Sequence, residues 1–317
     1  MRRKFIAGAV VAVIIISLLA AAVRLGNRDL TVTGPERVAV LQISGVIVGG
    51  KGAAGLFGTA VTGADDMMGY LREVRQDPTI KAVVLRINSP GGTTGASQEL
   101  GMEITRLRES GVKVVASMAD VAASGGYWIS ACSDYIIASP GTTTGSIGVI
   151  METQDLQGLY EKLGIDSTVI KSGPHKDMGS PSRSLTENEK AILQGMVDDM
   201  YDQFVDVVAE GRQMERAKVL ELADGRVFTG RQALEAGLVD EMGNYYDALD
   251  KAAELAGIEG EPEVIELGTM GGWWSLLGQM SLEQLMGPWQ RQLPGLVPGG
   301  LWLVDPNLAA APIPMAR

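Results

Sequence analysis

A serine followed by two glycines stands out among the residues that could do chemistry. Ser124 lies in the run Ala122-Ala123-Ser124-Gly125-Gly126, between the strand-like segment Val112–Met118 and the apolar, helix-like stretch Tyr127–Ile129. Small neighbours let the chain bend sharply, and a serine at the start of a helix lies near free N–H groups and the positive end of the dipole. The pattern A-x-S-x-G approximates the G-x-S-x-G nucleophile elbow. Close packing of a helix on a strand gives similar clusters, so other residues must decide whether Ser124 is a nucleophile.

Two adjacent side chains could take the proton of such a serine. His175, which is the only histidine, and Lys176 lie in the segment Lys171–Asp177. A Ser-His-Asp arrangement would use His175 with one of many carboxylates, whereas a Ser-Lys arrangement would use the neutral amine of Lys176. A lysine has an unperturbed pKa of ~10.4, which must fall to roughly 7–8 for that task. The residue types alone do not decide whether His175 or Lys176 is the base. They are also compatible with Lys176 being an ordinary solvated lysine in a loop.

Two further turns combine hydroxyl groups with glycines. The strand-like segment Ile80–Ile87 ends in Asn88-Ser89-Pro90-Gly91-Gly92, where backbone N–H groups can point beyond the edge of a sheet. Gly91 or Gly92, together with the N–H of Gly125, would supply two donors for an oxyanion, although an ordinary strand-to-helix turn has the same composition. The other turn, Thr142–Gly148, places Ser146 directly after a glycine.

These turns require a scaffold of alternating strands and helices. We predict six strands, at Val38–Ile43, Ile80–Ile87, Val112–Met118, Tyr135–Ala138, Ser146–Ile150 and Ser167–Ile170. The predicted helices are Asp65–Arg75, Ala96–Ser110, the stretch after Ser124, Leu156–Leu163, a long helix from Thr186, Ala217–Ala223, Gly230–Ala236 and Tyr246–Ala256. The long helix begins with a capping-box pattern and carries an apolar stripe, which predicts a core or subunit contact, at Ile192, Met196, Met200, Phe204 and Val208. The alternation of strands and helices predicts an α/β layered domain.

The composition excludes several classes of function. The chain has 317 residues, of which 46% are hydrophobic and 21% charged, as in globular proteins. Its 27 basic and 38 acidic residues give a net charge of −11, which argues against a nucleic-acid partner. With one histidine and one cysteine, Cys132, the chain cannot form an internal disulfide, a structural Cys/His zinc site or a His-rich metal site. We expect no metal and no cofactor, and we expect Cys132 in the core.

The amino-terminal residues predict a membrane anchor. Met1-Arg2-Arg3-Lys4 precedes the uncharged segment Phe5–Val23, whose helix would be about 28 Å long, close to a ~30 Å hydrocarbon core. A cleaved signal peptide is the alternative, but this apolar run is longer than the usual ~7–15 residues. The basic cluster favours an amino end inside the cell. We therefore expect an anchor over residues 1–27 in the cytoplasmic membrane, crossing it once through residues 5–23, with the catalytic domain on the extracytoplasmic side.

The composition divides the rest of the chain into three parts. Residues 28–37 form a short linker, and residues 38–265 form the predicted catalytic domain. From residue 266 to residue 317 the chain is rich in Trp, Gly and Pro and poor in charge. A tail of this kind can lie against a membrane, pack on a neighbouring subunit or be flexible, and the composition does not choose among these.

Several motifs in order resemble those of the bacterial signal peptide peptidase A family of membrane-bound serine peptidases. The four that carry the resemblance are Asn88–Gly92, Ala122–Trp128, Thr144–Val149 and Ser172–Asp177. Two further segments, Ala223–Val227 and Leu238–Asp240, also fit. The resemblance runs from about Val38 to Gly243 and leaves the predicted anchor and the tail outside it.

The resemblance implies a ClpP/crotonase-like α/β spiral fold and a peptidase with a Ser/Lys dyad. Ser124 would be the nucleophile, Lys176 the general base, and Ser146 the serine that hydrogen-bonds the lysine and orients it. Gly125 and either Gly91 or Gly92 would form the oxyanion hole. The family also implies remnant signal peptides and other short hydrophobic peptides as substrates. It implies a homo-oligomeric dome or bowl above the membrane, in which Lys176 can come from a neighbouring chain.

Two other classes of function compete with this reading. A crotonase-type acyl-CoA enzyme shares the fold and an oxyanion hole but uses no serine nucleophile, and the predicted anchor and the motifs of Ser124 and Lys176 argue against it. A membrane-tethered scaffold or inactive homologue would bind peptides or protein partners without cleaving them. The presence of Ser124, Ser146 and Lys176 together argues against that alternative.

Overall fold

The computed structural model of the chain describes residues 35–54 and 60–268, which belong to one compact unit. The strands of these residues are β1 (Arg37–Ser44), β2 (Val46–Val48), β3 (Ala53–Ala54), β4 (Ala60–Gly63), β5 (Ile80–Ser89), β6 (Lys113–Ala123), β7 (Tyr135–Ala138), β8 (Thr143–Gly145), β9 (Val227–Thr229), β10 (Glu241–Met242) and β11 (Glu263–Leu267). The helices are α1 (Ala64–Gln76), α2 (Thr94–Glu109), α3 (Gly125–Ala131), α4 (Gln157–Leu163), α5 (Glu187–Gly211), α6 (Arg216–Leu222), α7 (Gly230–Glu235) and α8 (Tyr245–Ala256). The prediction of an α/β domain is confirmed.

The main sheet is parallel along its whole path, in the order β10-β7-β6-β5-β1-β11. Strand β6 is long enough to pair with two partners on the same side, first with β7 and then with β8. Strand β9 extends the sheet by antiparallel pairing with β8. A small second sheet has the order β2-β4-β3, and Ile47 of β2 bridges to Gly92. Parallel neighbours need long connections, which the helices between the strands provide.

Both faces of the main sheet are buried because successive side chains of a strand point to opposite faces. In β1, Val38 and Val40 pack in a cluster with Ala248 and Ala252 of α8. Their alternates Ala39 and Leu41 pack in the larger cluster on the other face, which includes side chains of α1, α2, α3 and α5. A strand that is covered on both faces has a nearly continuous run of Val and Ile in its sequence. Such runs are the reason that the sequence predicted these strands. Cys132 lies in the larger cluster with 8% of its surface exposed, as expected.

Three strands end at one edge of the main sheet and deliver the three predicted turns to the same place. Strand β5 ends at Ser89, β6 at Ala123 and β8 at Gly145. The register pairs Ser89 with Ala122 and Ala123 with Gly145. Because the strands are parallel, the residues that follow them emerge side by side. The sheet therefore brings the glycine turn, Ser124 and Ser146 together.

Two predicted strands are wrong. Neither Ser146–Ile150 nor Ser167–Ile170 is a strand, although both are rich in β-branched residues. The ladder between β8 and β6 stops at Gly145, and Ser146 takes a positive φ of 51°, which lies outside the β region of residues with a side chain. Ile150 and Ile170 are 88% and 96% exposed. Without a neighbouring strand, β propensity alone does not form a strand.

The long helix α5 begins at the capping box that the sequence predicted. The Thr186 hydroxyl accepts from the Glu189 N–H, and the Glu189 carboxylate accepts from the Thr186 N–H. The apolar stripe of this helix divides into two parts. Phe204 and Val208 are buried in the core, whereas Ile192 and Met196 are 38% and 43% exposed. Only the carboxyl-terminal half of α5 packs in the core, where the Phe204 ring lies against Trp128 of α3.

No helix within residues 35–54 and 60–268 has both the length and the apolar character needed to cross a bilayer. The predicted anchor, residues 5–23, and nearly all of the predicted Trp-rich tail lie outside the described residues. Both therefore stay predictions.

Candidate active site

Ser124 forms the turn between β6 and α3, with φ 53° and ψ −120°. A residue with a Cβ rarely adopts a positive φ, and such outliers collect at functional sites, where the surrounding structure holds them in place. The Ser124 N–H donates to the Gly145 carbonyl at 2.9 Å, and the Ser124 carbonyl accepts from the Trp128 N–H at 2.9 Å. The buried rings of Tyr127 and Trp128 fix the helix that follows. This is the geometry of a nucleophile elbow.

Gly91 and Gly92 lie directly against the Ser124 turn. Gly91 has a φ of +104°, and a Cβ added there would come within 2.7 Å of the Gly125 nitrogen and 2.8 Å of the Ser124 Cβ. A Cβ added at Gly125 would in turn lie 3.2 Å from the Gly92 nitrogen. The backbones thus approach one another as only glycines allow.

The hydrogen bonds distinguish the two glycines of the β5 turn. The Gly91 N–H donates to the Ser89 hydroxyl at 3.1 Å and is therefore occupied. The Gly91 carbonyl and the Thr93 N–H both bond to Ile47. Within the described part of the chain, the Gly92 N–H has no partner. The N–H of Gly125, as the first residue of α3, has no acceptor within its helix. Gly92 and Gly125 are therefore the neighbouring donors that could serve an oxyanion.

Ser146 shares a cleft with Ser124. Its φ is also positive, at 51°, and its N–H donates to the Arg226 carbonyl at 2.8 Å. The cleft has a volume of about 470 Å³. It is lined by Ser124, Ser146, Gly148, Val149, Ile150, Val197, Asp198, Tyr201, Ala223, Asp224 and Gly225.

The walls of this cleft are mostly small or apolar, with two carboxylates. Asp224 pairs with Arg226, whose hydrogen bonds lower the pKa of the Asp224 carboxyl to about 2. The same pair stabilises the turn whose Arg226 carbonyl binds Ser146. Asp198 accepts from the Gln194 side chain at 2.7 Å. Both carboxylates therefore already have partners, and the exposed Ile150 and the half-buried Val149 leave an apolar wall for a bound chain.

Lys176 is not among the residues that line the cleft of Ser124. It is exposed in a loop, where its own N–H donates weakly to the Gly173 carbonyl at 3.4 Å. The neighbouring His175 is also exposed, and its Nδ1 lies 3.7 Å from the Glu189 carboxylate. Within one copy of the chain, the structure thus brings together Ser124, Ser146, Gly125, Gly91 and Gly92, but not Lys176 or His175.

Sequence reasoning missed most of the cleft walls. Val197, Asp198 and Tyr201 come from one face of α5, and the helical spacing of Val197 and Tyr201 is the only signal that could have indicated them. Asp224 and Gly225 belong to a segment that fitted the family motif without an assigned role. No group of three or more His, Cys, Asp or Glu side chains within residues 35–54 and 60–268 could hold a metal ion.

Comparisons with known proteins match this chain to peptidases. The model of peptidase family S49 matches residues 106–259. A putative protease of Synechocystis is 43% identical over 235 residues, which cover 74% of this chain and 79% of that protein. A putative signal peptide peptidase SppA of Enterococcus faecium is 42% identical over 215 residues, 68% of this chain and 62% of that protein. A solved membrane-bound stomatin-specific protease has a TM-score of 0.47 and 16% identity, over 74% of this chain and 99% of its own.

Proposed function

Because the chain belongs to peptidase family S49 and is a serine-type peptidase similar to signal peptide peptidase SppA, we propose that it is a membrane-anchored endopeptidase that hydrolyses peptides through a Ser124 acyl-enzyme. The observation that carries the proposal is the Ser124 turn, with its positive φ and the Gly92 and Gly125 N–H groups beside it. Family membership removes the acyl-CoA alternative. We also propose the ClpP/crotonase-like spiral as the finer class of the α/β fold.

The Ser124 hydroxyl attacks the scissile carbonyl, and the Gly92 and Gly125 N–H groups stabilise the oxyanion that forms. Removing one oxyanion-hole donor from a well-studied hydrolase costs about 2.7–4 kcal/mol. The neutral amine of Lys176 takes the Ser124 proton and gives it to the leaving amine, after which it activates water to release the acyl group. Ser146 orients that amine by a hydrogen bond.

We propose that Lys176 acts on the Ser124 of a second copy of the chain. The segment that carries Lys176 has few contacts with the core, and α4 within it has no buried residue. Its exposed apolar side chains include Leu159, Leu163 and Ile170, the last of them 96% exposed. Exposed apolar surface of this extent is typical of an interface. A homo-oligomer, for which we propose the dome or bowl form above the membrane, would cover that surface and complete the site.

The proposed substrates are remnant signal peptides and other short hydrophobic peptides. Two observations support this class: the cleft walls are mostly small or apolar, and Val149 and Ile150 lie after Ser146 in a segment that pairs with no strand. A peptide in extended form could add to such a segment by backbone hydrogen bonds. The anchor proposed at residues 5–23 would hold the enzyme in the cytoplasmic membrane where these peptides are released, with the catalytic domain outside.

The test is cleavage of a fluorogenic peptide, taken from the apolar region of a signal sequence, by the full-length protein in detergent. We expect the wild type and His175→Ala to cleave, and Ser124→Ala and Lys176→Ala to lose at least about a thousandfold in kcat/KM. Circular dichroism of each variant establishes that it remains folded. Cleavage by Lys176→Ala at the wild-type rate, with its loss in His175→Ala, would overturn the Ser/Lys assignment.

A further inference from the structure

The loop that carries Lys176 makes its own hydrogen bonds, but these are local. The Lys171 ammonium donates to the Pro174 carbonyl at 2.9 Å and to the Asp177 carboxylate at 2.6 Å. The Met178 N–H donates to the His175 carbonyl at 3.1 Å. These bonds close single turns and do not join the loop to the sheet. Lys176 needs a further attachment to serve as a base of fixed position.

Arg183 supplies that attachment. Its Nε and Nη2 donate to the two oxygens of Asp177, at 2.9 and 2.7 Å. Its Nη1 and Nη2 donate to the two oxygens of Glu189, at 2.8 and 2.6 Å. The planar guanidinium fork thus makes two bidentate contacts, which are the most directional ion pairs that proteins form.

The two carboxylates belong to different parts of the chain. Asp177 directly follows Lys176, whereas Glu189 lies in the first turn of α5 and is 1% exposed. Glu189 also completes the capping box with Thr186. Arg183 therefore ties the residue next to Lys176 to a helix whose carboxyl-terminal half is packed in the core. Removing Arg183 would leave the loop with its local bonds and with the longer contacts of His175 to Asn188 and Glu189 of α5, at 3.4 and 3.7 Å.

Arg183 also balances charge around Lys176. The charged and titratable groups in the loop and in the first turn of α5 are Lys171, His175, Asp177, Arg183, Glu187, Glu189 and Lys190, while Asp155 bonds to Ser184 nearby. Glu187 and Lys190 pair with each other at 2.7 Å. Hydrogen bonds from Arg183 hold the pKa values of Asp177 and Glu189 well below their usual range, so both stay anionic. Without Arg183 their negative charge would favour the ammonium form of Lys176.

We propose that Arg183 is a positioning residue for Lys176, which clamps the loop to α5 and offsets part of the negative charge of Asp177 and Glu189. The proposal rests on the proposed function of Lys176 as the base. Arg183 itself touches neither the substrate nor Ser124.

The experiment compares Arg183→Met, Arg183→Lys and the double variant Arg183→Met with Asp177→Asn in the full-length protein. We expect Arg183→Met to lower kcat about 10- to 100-fold with little change in KM, because the base is misplaced. In this variant the acid limb of the pH profile of kcat/KM should move about one pH unit upward. The reason is that the carboxylates of Asp177 and Glu189, without Arg183, favour the ammonium form of Lys176. Arg183→Lys keeps the charge and should keep the acid limb while lowering kcat. Replacing Asp177 as well should move the acid limb back.

The matched control is Arg216→Met. Arg216 also bonds to two carboxylates, Asp202 and Asp206 of α5, but lies outside the loop. It should leave kcat and the acid limb unchanged. A merely structural role of Arg183 would lower the rate without moving the acid limb, and that result overturns the proposal.

Hydrogen exchange tests the clamp without relying on peptidase activity. The amides of residues 172–180 should exchange at least about tenfold faster in Arg183→Met, as expected of a locally opened segment, while those of β5 and β6 stay protected. Unchanged exchange in the loop overturns the proposal even if the protein is a Ser/Lys peptidase. Faster exchange in Arg183→Met together with full activity of Lys176→Ala overturns the proposed base but leaves the clamp in place.

Discussion

Ser124 and Ser146 both hold positive φ values while carrying side chains, and both line the cleft. Such a backbone conformation costs about 1–3 kcal/mol at each residue, and the surrounding structure must offset it. The Ser124 turn is held by hydrogen bonds at both of its peptide groups and by the close approach of Gly91. The site therefore depends on residues that take no part in the chemistry.

Gly91→Ala tests this dependence. The added Cβ would lie 2.7 Å from the Gly125 nitrogen, closer than real Cβ contacts, on a residue whose φ is +104°. We expect a loss of about 1–3 kcal/mol in the free energy of unfolding and a loss of most activity, because the oxyanion donors move apart. Denaturant unfolding and the peptide assay measure the two effects.

Gly95→Ala is the control for this substitution. Gly95 lies in α2, where no described atom is within 4 Å of an added Cβ. Alanine there should stabilise the protein by up to about 1 kcal/mol and leave activity unchanged. Wild-type activity in Gly91→Ala would contradict the arrangement of the oxyanion hole that we propose.

Helix α5 serves three regions of the molecule at once. Its carboxyl-terminal half packs Phe204 and Val208 in the core, its middle supplies Val197 and Tyr201 to the cleft, and its first turn holds Glu189. The capping box and the contact with Arg183 meet at that one carboxylate. Since the helix begins where the loop of Lys176 is attached, the stability of its first turn bears directly on the proposed base.

Glu189→Gln should change how stability depends on pH. Hydrogen bonds from Arg183, and then from the Thr186 backbone, lower the pKa of Glu189 below its ordinary 4.5. A carboxyl whose folded-state pKa is depressed stabilises the fold above its unfolded-state pKa, and this contribution is lost as pH falls through the folded value. The stability difference between wild type and Glu189→Gln should therefore be full near pH 6 and shrink below about pH 4.5.

Urea unfolding over the range pH 3–7 measures this difference. Glu187→Gln is the control, because that side chain is 89% exposed in the same turn and pairs only with Lys190. The pH dependence expected of Glu189→Gln is the part that exceeds whatever Glu187→Gln shows. A constant difference between wild type and Glu189→Gln over the whole pH range would mean that the ion pair with Arg183 does not form in solution.

At the scale of the whole molecule, one chain does not place the proposed base in the cleft of the proposed nucleophile. Ser124 and Ser146 share a cleft, while Lys176 lies elsewhere on an exposed loop. The apolar side chains around that loop, which include Ile170 and Leu163, have no cover within the described part of the chain. A second copy that covers this surface would explain both observations together.

Complementation between inactive variants tests whether sites are shared. Ser124→Ala and Lys176→Ala, co-expressed in equal amounts, should assemble into mixed oligomers. If Ser124 and Lys176 of a site come from different chains, about a quarter of the sites become complete by random assembly. Activity near a quarter of the wild type is the expected result, measured with the peptide assay after purification through a tag on each variant. No restored activity in verified mixed oligomers would show that the dyad lies within one chain.

The sequence by itself determined the elements that local patterns specify. The Val- and Ile-rich runs of β1, β5, β6 and β7 predicted strands of an α/β domain, and the Thr186 pattern predicted the start of α5, because side-chain spacing and capping act within a few residues. The motif order also determined the family. Only the tertiary structure decided which segments pair as strands. Ser146–Ile150 and Ser167–Ile170 are also rich in β-branched residues, but they remain unpaired.

Only the tertiary structure, likewise, distinguished Gly92 from Gly91 as the residue whose N–H group remains open to the proposed oxyanion. The two residues are identical in type, and what separates them is a bond from the Gly91 N–H to the Ser89 hydroxyl. In the sequence, nothing distinguishes Arg183 from other charged loop residues. Its ion pairs with Asp177 and Glu189 are visible only in the folded structure. Pairing partners, occupied N–H groups and ion pairs depend on distances between residues, and those distances are set by the packing of the whole domain.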